Sequence, residues 1–319
     1  MATTTANVGA PYSVGASVQL SAAVQTVWSK EILFQAMPVL RFEQFAVKKT
    51  ELGVQPGLTI NFMRYNNLGS AAQLTEGVRM ETNALSATQY TVTVAEHGYA
   101  VAVSELLLNA SFDDVMASAS RLLGRNMALY LDRSARDTLL LGTSRVFGYT
   151  APASTTGAYG QYAPGTAAAN RAGLTGAFYL SPHAIKDAVE TLAVKNVPRL
   201  GETYVCFVHP HQSRRLRDWP EWIEVSKYAA PGNFMLGEIG RIADVVFIET
   251  TQVGKIQTGP DVYQAIMIGD NAFGHAISLP VELRDGGVLD FGREHALAWY
   301  AIWGFGRITD ESIVIIETN

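Results

Sequence analysis

From Thr88 to Leu107, "TQYTVTVAEHGYAVAVSELL", the alternation of apolar and polar residues changes sides. Tyr90, Val92 and Val94 occupy even positions; after Gly98, Tyr99, Val101 and Val103 occupy odd ones. Strand side chains repeat every two residues, so a slip of one turns every later side chain over. A chain with this pattern cannot lay the whole segment on one simple sheet. Glu96-His97-Gly98 is expected to absorb the slip as a bulge, with glycine supplying the unusual backbone angles. The first half then belongs to a projecting hairpin and the second half, Tyr99 to Val103, enters a core.

The partner strand is read at Leu58 to Met63, which also alternates. "YNNLGS" breaks it, and the polar, irregular "AAQLTEGVRMETNAL" follows. The two strands are thus joined by a loop of roughly twenty residues, a length that is usually functional inside a compact domain. Glu76 and Arg79 on that loop are read either as partner contacts or as ordinary solvated loop charges.

Ser111 to Gly142 predicts a long helix, on the order of 40 Å at ~1.5 Å per residue. Ser111 and Asp114 resemble a capping box, and Gly142 is a natural stop. Met116, Ala119, Leu123, Met127, Tyr130 and Leu141 are expected on one buried face. Arg121, Arg125, Asp132 and Arg136 are expected on the opposite, solvated face. Leu122, Leu129 and Leu140 form a second apolar stripe. The helix reads as a spine.

The rest divides into an arm and a lobe. No charged side chain precedes Lys30. An uncharged arm carrying Val8, Tyr12, Val14 and Val18 reads as one that lies down on a surface, since free disordered arms are usually charged. Ser17 to Met37 turns helical, with Leu20, Val24, Val27, Trp28 and Leu33 at three- and four-residue steps, and Pro38 ends it. Phe147 to Asn170 holds no charge and reads as a surface connection. An α/β pattern follows: a helix opened by Ser181-Pro182, strands at "TYVCFVHP", "ADVVFIET" and "QAIMIGD", and a short helix at "PHQSRRLRD". "HALAWYAIWGFGRI" and "SIVIIE" are expected to pair antiparallel across a turn at Thr309-Asp310.

Chemistry is nearly silent. The 319 residues are 48% hydrophobic and only 17% charged, with a net charge of -5. That balance argues against a chain built to grip phosphates. A single cysteine, Cys206, excludes an internal disulfide and reads as a core residue rather than a nucleophile. With no signal peptide or membrane-length apolar run, the chain reads as a soluble protein of a reducing compartment. His209 and His211 flank Pro210 and suit a strand-to-helix turn better than a metal site. "RRLR", Arg214 to Arg217, reads as a mixed-charge face, since Asp218, Glu221 and Glu224 follow. Trp219 and Trp222 are read as core packing, although aromatic residues also mark interfaces. "GFGRIT" at Gly304 lacks the third glycine and the following helix of a dinucleotide fingerprint and is discarded. No catalytic, cofactor or metal residue is assigned. Arms and hairpins bury little within their own subunit, so ordering them makes sense against neighbours.

The segment order resembles the major capsid proteins of tailed phages, in particular the N4-like branch of the Hong Kong ninety-seven-type (HK97-like) coat fold, an α+β architecture. The matching stretches are "LSAAVQTVWSKEILFQAMP", "PGLTINFMRYNNLGSAAQLTEGV", "YAVAVSELL", "DTLLLGTSRVFG", "YVCFVHPHQSRRLRDWPEWIEVSKYAAPG", "GEIGRIADVVFIET" and "YAIWGFGRI". The resemblance implies an N-arm and first helix at 1–46, with Val8, Tyr12 and Val14 at an interface. It implies an E-loop at 47–96, with Asn66, Leu74, Glu76, Val78, Arg79 and Met80 between subunits. A P-domain at 97–147 and 284–319 would contain the spine, with Met116, Leu123, Met127 and Tyr130 in its core. A connector at 148–171 and an A-domain at 172–283 complete it, with Glu238 in an A-domain loop or turn at "GEIG".

The family further implies a homo-oligomer of hexamers and pentamers in an icosahedral shell that encloses double-stranded DNA without sequence-specific binding. A portal occupies one vertex, and a cement or decoration protein is compatible with the outer face. Assembly would occur in the host cytoplasm, the product being the virion capsid. Some relatives lock the shell with a lysine–asparagine bond from the E-loop. No lysine occurs here between Lys49 and Lys186, so a non-covalent shell is expected. The uncharged start leaves no room for a charged scaffolding segment, so a separate scaffolding protein is expected. The rival readings are an encapsulin-like compartment shell and an α/β enzyme using His209, His211 and Asp218.

Overall fold

A computed structural model describes residues 41–50, 59–66, most of those between 68 and 80, 82–110, 115–150, 165–217, 238–257 and 259–319. The expected N-arm with Val8, Tyr12 and Val14, the first helix, the Ser111–Asp114 cap, Leu74, Val78, Trp219 and Trp222 lie outside them. The strands are β1 (Val47–Lys49), β2 (Thr59–Tyr65), β3 (Ala87–Thr93), β4 (Ala95–Ser104), β5 (Ser144–Phe147), β6 (Tyr149–Thr150), β7 (Phe178–Tyr179), β8 (Tyr204–Val208), β9 (Glu238–Ile242), β10 (Val245–Glu249), β11 (Gly254–Gln257), β12 (Asp261–Ile268), β13 (Phe273–Leu289), β14 (Glu294–Arg307) and β15 (Ile313–Thr318). The helices are α1 (Glu105–Ala110), α2 (Val115–Leu140), α3 (Pro182–Val194) and α4 (Pro210–Arg217).

The described residues form two units. One draws on 97–128 and 281–301, the other on 39–96, 129–280 and 302–319. The helix α2 and the strands β13 and β14 contribute to both.

In the larger unit a mixed sheet runs β5-β15-β12-β8-β10-β9, with β11 also paired to β12. β15 lies parallel to β5, and β10 parallel to β8; β12 is antiparallel to both β15 and β8. Its central strands are apolar runs because both faces are covered. Cys206, Val208, Ala265, Met267, Val314 and Ile316 pack with Ala184, Ile185, Ala188 and Leu192 of α3 and Leu216 of α4. The alternate residues Val205, Phe207, Ile266, Ile268, Ile313 and Ile315 pack with Ala135 and Leu139 of α2 and with Phe42. As expected, α3 opens with the Ser181 hydroxyl accepting the Ala184 N–H and with Pro182 in its first turn. It ends at Val194, and Asn196, two residues on, takes a left-handed φ of 55°.

Three expectations fail here. First, β14 and β15 do not pair: β14 joins the sheet β1-β13-β14-β4, while β15 sits between β5 and β12. A 3-10 turn at Asp310–Ser312 sends the chain from one sheet to the other instead of closing a hairpin. Second, Glu238 is no loop residue. It opens β9, opposite Ile248 of β10, and the turn falls at Ala243-Asp244, both at positive φ. Third, the buried line of α2 is not a fixed face. Leu123 and Met127 are buried as expected, but Met116 is half-buried, and Tyr130 and Leu141 are exposed. Burial follows Ala119, Leu123, Met127, Leu131, Ala135 and Leu139, a four-residue step. Each such step drifts about 40° on a helix of 3.6 residues per turn, so the line has rotated far from Met116 by the far end. Tyr130 instead lies beside Trp303, ring centroids 6.2 Å apart.

Candidate assembly surface

The apolar face does change sides: Val94 is the last residue buried on the even face, Ala95 and Glu96 are both exposed, and burial resumes at odd positions from His97. β3 ends at Thr93, β4 starts at Ala95, and the two pair with different strands, β2 and β14. Gly98 keeps a negative φ; its missing side chain is required because a Cβ would lie 2.8 Å from the Trp299 carbonyl oxygen.

The β2–β3 ribbon is in register from Thr59↔Thr93 to Tyr65↔Ala87. Its inward residues Ile60, Phe62, Val92 and Val94 are buried with Ala276 and Ile308. Its outward residues Thr59, Asn61, Met63 and Tyr65 are exposed. At the outer end, Asn66 spans the two strands: its amide donates to Ser86 Oγ at 3.2 Å and its oxygen accepts from Thr88 Oγ1 at 2.9 Å. Beyond it every described loop residue through Ser86 is exposed, including Glu76, Arg79 and Met80. Met63, Tyr65, Leu68, Met80 and Leu85 each expose at least 60% of their surface. So many large apolar side chains left mostly exposed on one projection mark a surface for protein contact. The smaller unit likewise exposes Leu106, Leu107, Leu122 and Phe291.

Three buried carboxylates, Asp132, Glu43 and Glu317, tie chain segments together. Asp132 Oδ1 accepts the backbone N–H groups of Arg41 and Phe42, both at 2.9 Å, and burial pushes its carboxyl above the usual range. It was expected on the solvated face; the two donors it satisfies explain its burial. Burial opposes the charge of Glu43, but His275 and Lys48 outweigh it and hold this carboxyl below the usual range. Glu317 follows the same logic. It is fully buried, yet Arg171, Gln264 and Arg145 overcome the desolvation and lower its pKa.

β8 leads through His209 into α4, as the strand-to-helix reading expects; His209 stacks on Tyr263 at 4.4 Å, and its Nδ1 accepts the His211 N–H. Burial lowers the pKa of both histidines, and neighbouring positive charges add to it. Among the described residues no three metal-binding side chains converge, and no helix is long and apolar enough to cross a membrane. Cys206 is buried among apolar groups that push its thiol pKa up. Arg215 lies over the Tyr179 ring, and Arg217 pairs with Glu249.

A family model described as phage capsid protein matches residues 88–315, well over half of the chain. The chain belongs to the phage capsid protein family. The capsid protein of Ralstonia phage GP4 is similar in structure, with a TM-score of 0.66 and 21% identity over 88% of this chain and 90% of that one. That of cyanophage P-SCSP1u gives 0.64 and 14%, over 88% of each chain. The cyanophage Pam1 capsid gives 0.61 and 16%, over 100% of this chain and 99% of that one. No curated protein matches the sequence. This phage capsid protein therefore has the HK97-like fold, in an α+β arrangement, and is a major capsid protein of a multimeric virion shell. These matches favour the shell subunit over the encapsulin-like reading.

Proposed function

We propose that this capsid protein assembles with copies of itself into hexamers and pentamers of an icosahedral tailed-phage head of the N4-like branch, enclosing double-stranded DNA. The observation that carries the reading is the ribbon, which packs by one face and presents Met63, Tyr65, Leu68, Met80 and Leu85 to solvent by the other face and its loop. In this reading the E-loop comprises 47–96, and Asn66, Leu74, Glu76, Val78, Arg79 and Met80 meet a neighbouring subunit. The arm residues Val8, Tyr12 and Val14 meet another. The P-domain comprises 97–147 and 284–319, and the A-domain 172–283. A separate scaffolding protein and a portal join during assembly in the host cytoplasm, and the coat performs no turnover chemistry. The acidic balance suits a container that does not grip its contents.

Deleting residues 66–85 tests the reading, because none of the described residues of that loop belongs to a buried cluster. The variant is expected to fold and melt cooperatively but to yield no closed particles by electron microscopy. Closed particles from it would overturn the assignment. With no lysine between Lys49 and Lys186, the loop has no amine for a covalent lock, so boiled particles should run as monomers.

A further inference from the structure

Three glycines meet the ribbon where it lies on the body. A Cβ at Gly304 would stand 2.1 Å from the Thr93 carbonyl oxygen and 3.1 Å from Val94 Cα. At Gly306 it would stand 2.4 Å from Val92 Cγ2, and at Gly274 2.5 Å from Phe62 Cζ. None of the three has a positive φ, so their backbone does not require glycine; the space does. We propose that Gly274, Gly304 and Gly306 form a side-chain-free seat on β13 and β14 that sets the angle of the ribbon, making them positioning residues for shell assembly.

The seat holds the inner half of the ribbon. Farther out, Arg64 Nη1 donates to Thr309 Oγ1 at 3.3 Å and lies 3.9 Å from a Glu311 carboxylate oxygen. Beside that tie opens a cleft of about 540 Å³, walled by Arg64 to Asn66 on the ribbon side and by Asn196, Asp270 and Asn271 opposite. Among the described residues no buried cluster includes the outer half, so the seat sets its direction. Adding one methyl group at Gly304 would require the Thr93 carbonyl to retreat by more than ~1 Å to reach ordinary contact. Because the obstacle is backbone, no trimmed side chain can absorb it; the whole strand must lift.

The inference rests on the proposed contact of the loop with a neighbouring subunit. Its test uses a size swap. Gly306→Ala is expected to keep the cooperative melt but lower the yield of closed shells about tenfold, through weakened subunit contacts. Adding Val92→Ala frees the space of the lost methyl groups and should restore the yield. Gly304→Ala should lose assembly without rescue by Val92→Ala. Gly176→Ala, which has open space around its Cβ, should assemble normally. Normal yield from Gly306→Ala, or no rescue in the double variant, overturns the seat; if Gly304→Ala fails to fold, this pair decides. If deletion of 66–85 still gives closed shells, the proposed function itself fails. If that deletion blocks assembly while Gly306→Ala assembles normally, only the seat does.

Discussion

The seven-stranded sheet and the β2–β3 ribbon are built from similar residues and held in opposite ways. Every residue of β15 and of β8 is buried, whereas β2 alternates between exposed and buried along its length. The sheet is clamped between α3 and α4 on one side and α2 with Phe42 on the other. The ribbon rests one face on a small cluster and leaves the other bare. Stability is therefore concentrated in the sheet, and the capacity to bind in the ribbon. Elements that must engage a partner are drawn from the less stable end of a structure.

The comparison breaks first if the sheet tolerates charge. Ile266 is fully buried in the middle of β12. Ile266→Asp places an unpaired carboxylate there, a loss of several kcal/mol or more. No soluble protein with a cooperative thermal melt is expected. The next effect concerns Glu317, where Arg145, Arg171 and Gln264 converge on a fully buried carboxylate. Glu317→Ala should cost about 2 kcal/mol, less than a wholly buried pair because both arginines are partly solvated. Arg64→Ala removes the exposed tie of the ribbon and should cost below about 1 kcal/mol. Thermal melts of the two variants rank them; a costlier Arg64→Ala would contradict the division of labour.

Acid sharpens the contrast within the body itself. The pKa of Glu317 is lowered from about 4.5, so its contribution is complete above the unfolded-state value and is lost as pH falls through the folded one. Asp132 behaves oppositely. Its pKa is raised from about 3.8, so the ionised form is a burden near neutrality that is relieved as pH falls through the folded value. Glu317→Gln should flatten the loss of stability in acid. Asp132→Asn keeps an oxygen for the Arg41 and Phe42 N–H groups and should change stability by about 1 kcal/mol or less at neutral pH. Any gain should vanish in acid. Denaturant melts across pH 3 to 7, an order-of-magnitude window around ordinary carboxylate titration, resolve both slopes; matching slopes for the two variants would refute the assignment.

The sequence made the sheet legible because burial on both faces writes itself as runs such as "YVCFV" and "IVIIE". The cap of α3 was legible because it is local. What escaped depends on distant partners. Asp132 looks like a solvated charge until residues 41 and 42 supply its donors. Tyr130 looks like core until the drift of the buried line is known. β14 and β15 look like a hairpin because nothing local tells a turn from a transfer between sheets. The seat did leave a trace: Gly304 and Gly306, two apart in an alternating strand, share one face. Glycine inside a strand marks a close backbone approach. The strand context of "GFG" points to such packing rather than to a dinucleotide site.

The smallest expected change in stability is the most informative for function. Met63 lies on the ribbon's outer face and is 67% exposed. Met63→Ser removes apolar surface that the isolated subunit does not bury, so stability should shift by no more than about 0.5 kcal/mol. If that face meets a neighbour, the same substitution removes a buried thioether from every contact of its kind in the shell. Contacts repeated across a closed shell compound a small loss in each, so assembly should fail at subunit concentrations where the unaltered protein closes. Phe62, one residue away on the inward face, provides the control. Phe62→Leu should lower stability measurably, since that ring is buried against Gly274. An outward change that costs stability, or an inward change that costs only assembly, would reverse the two faces.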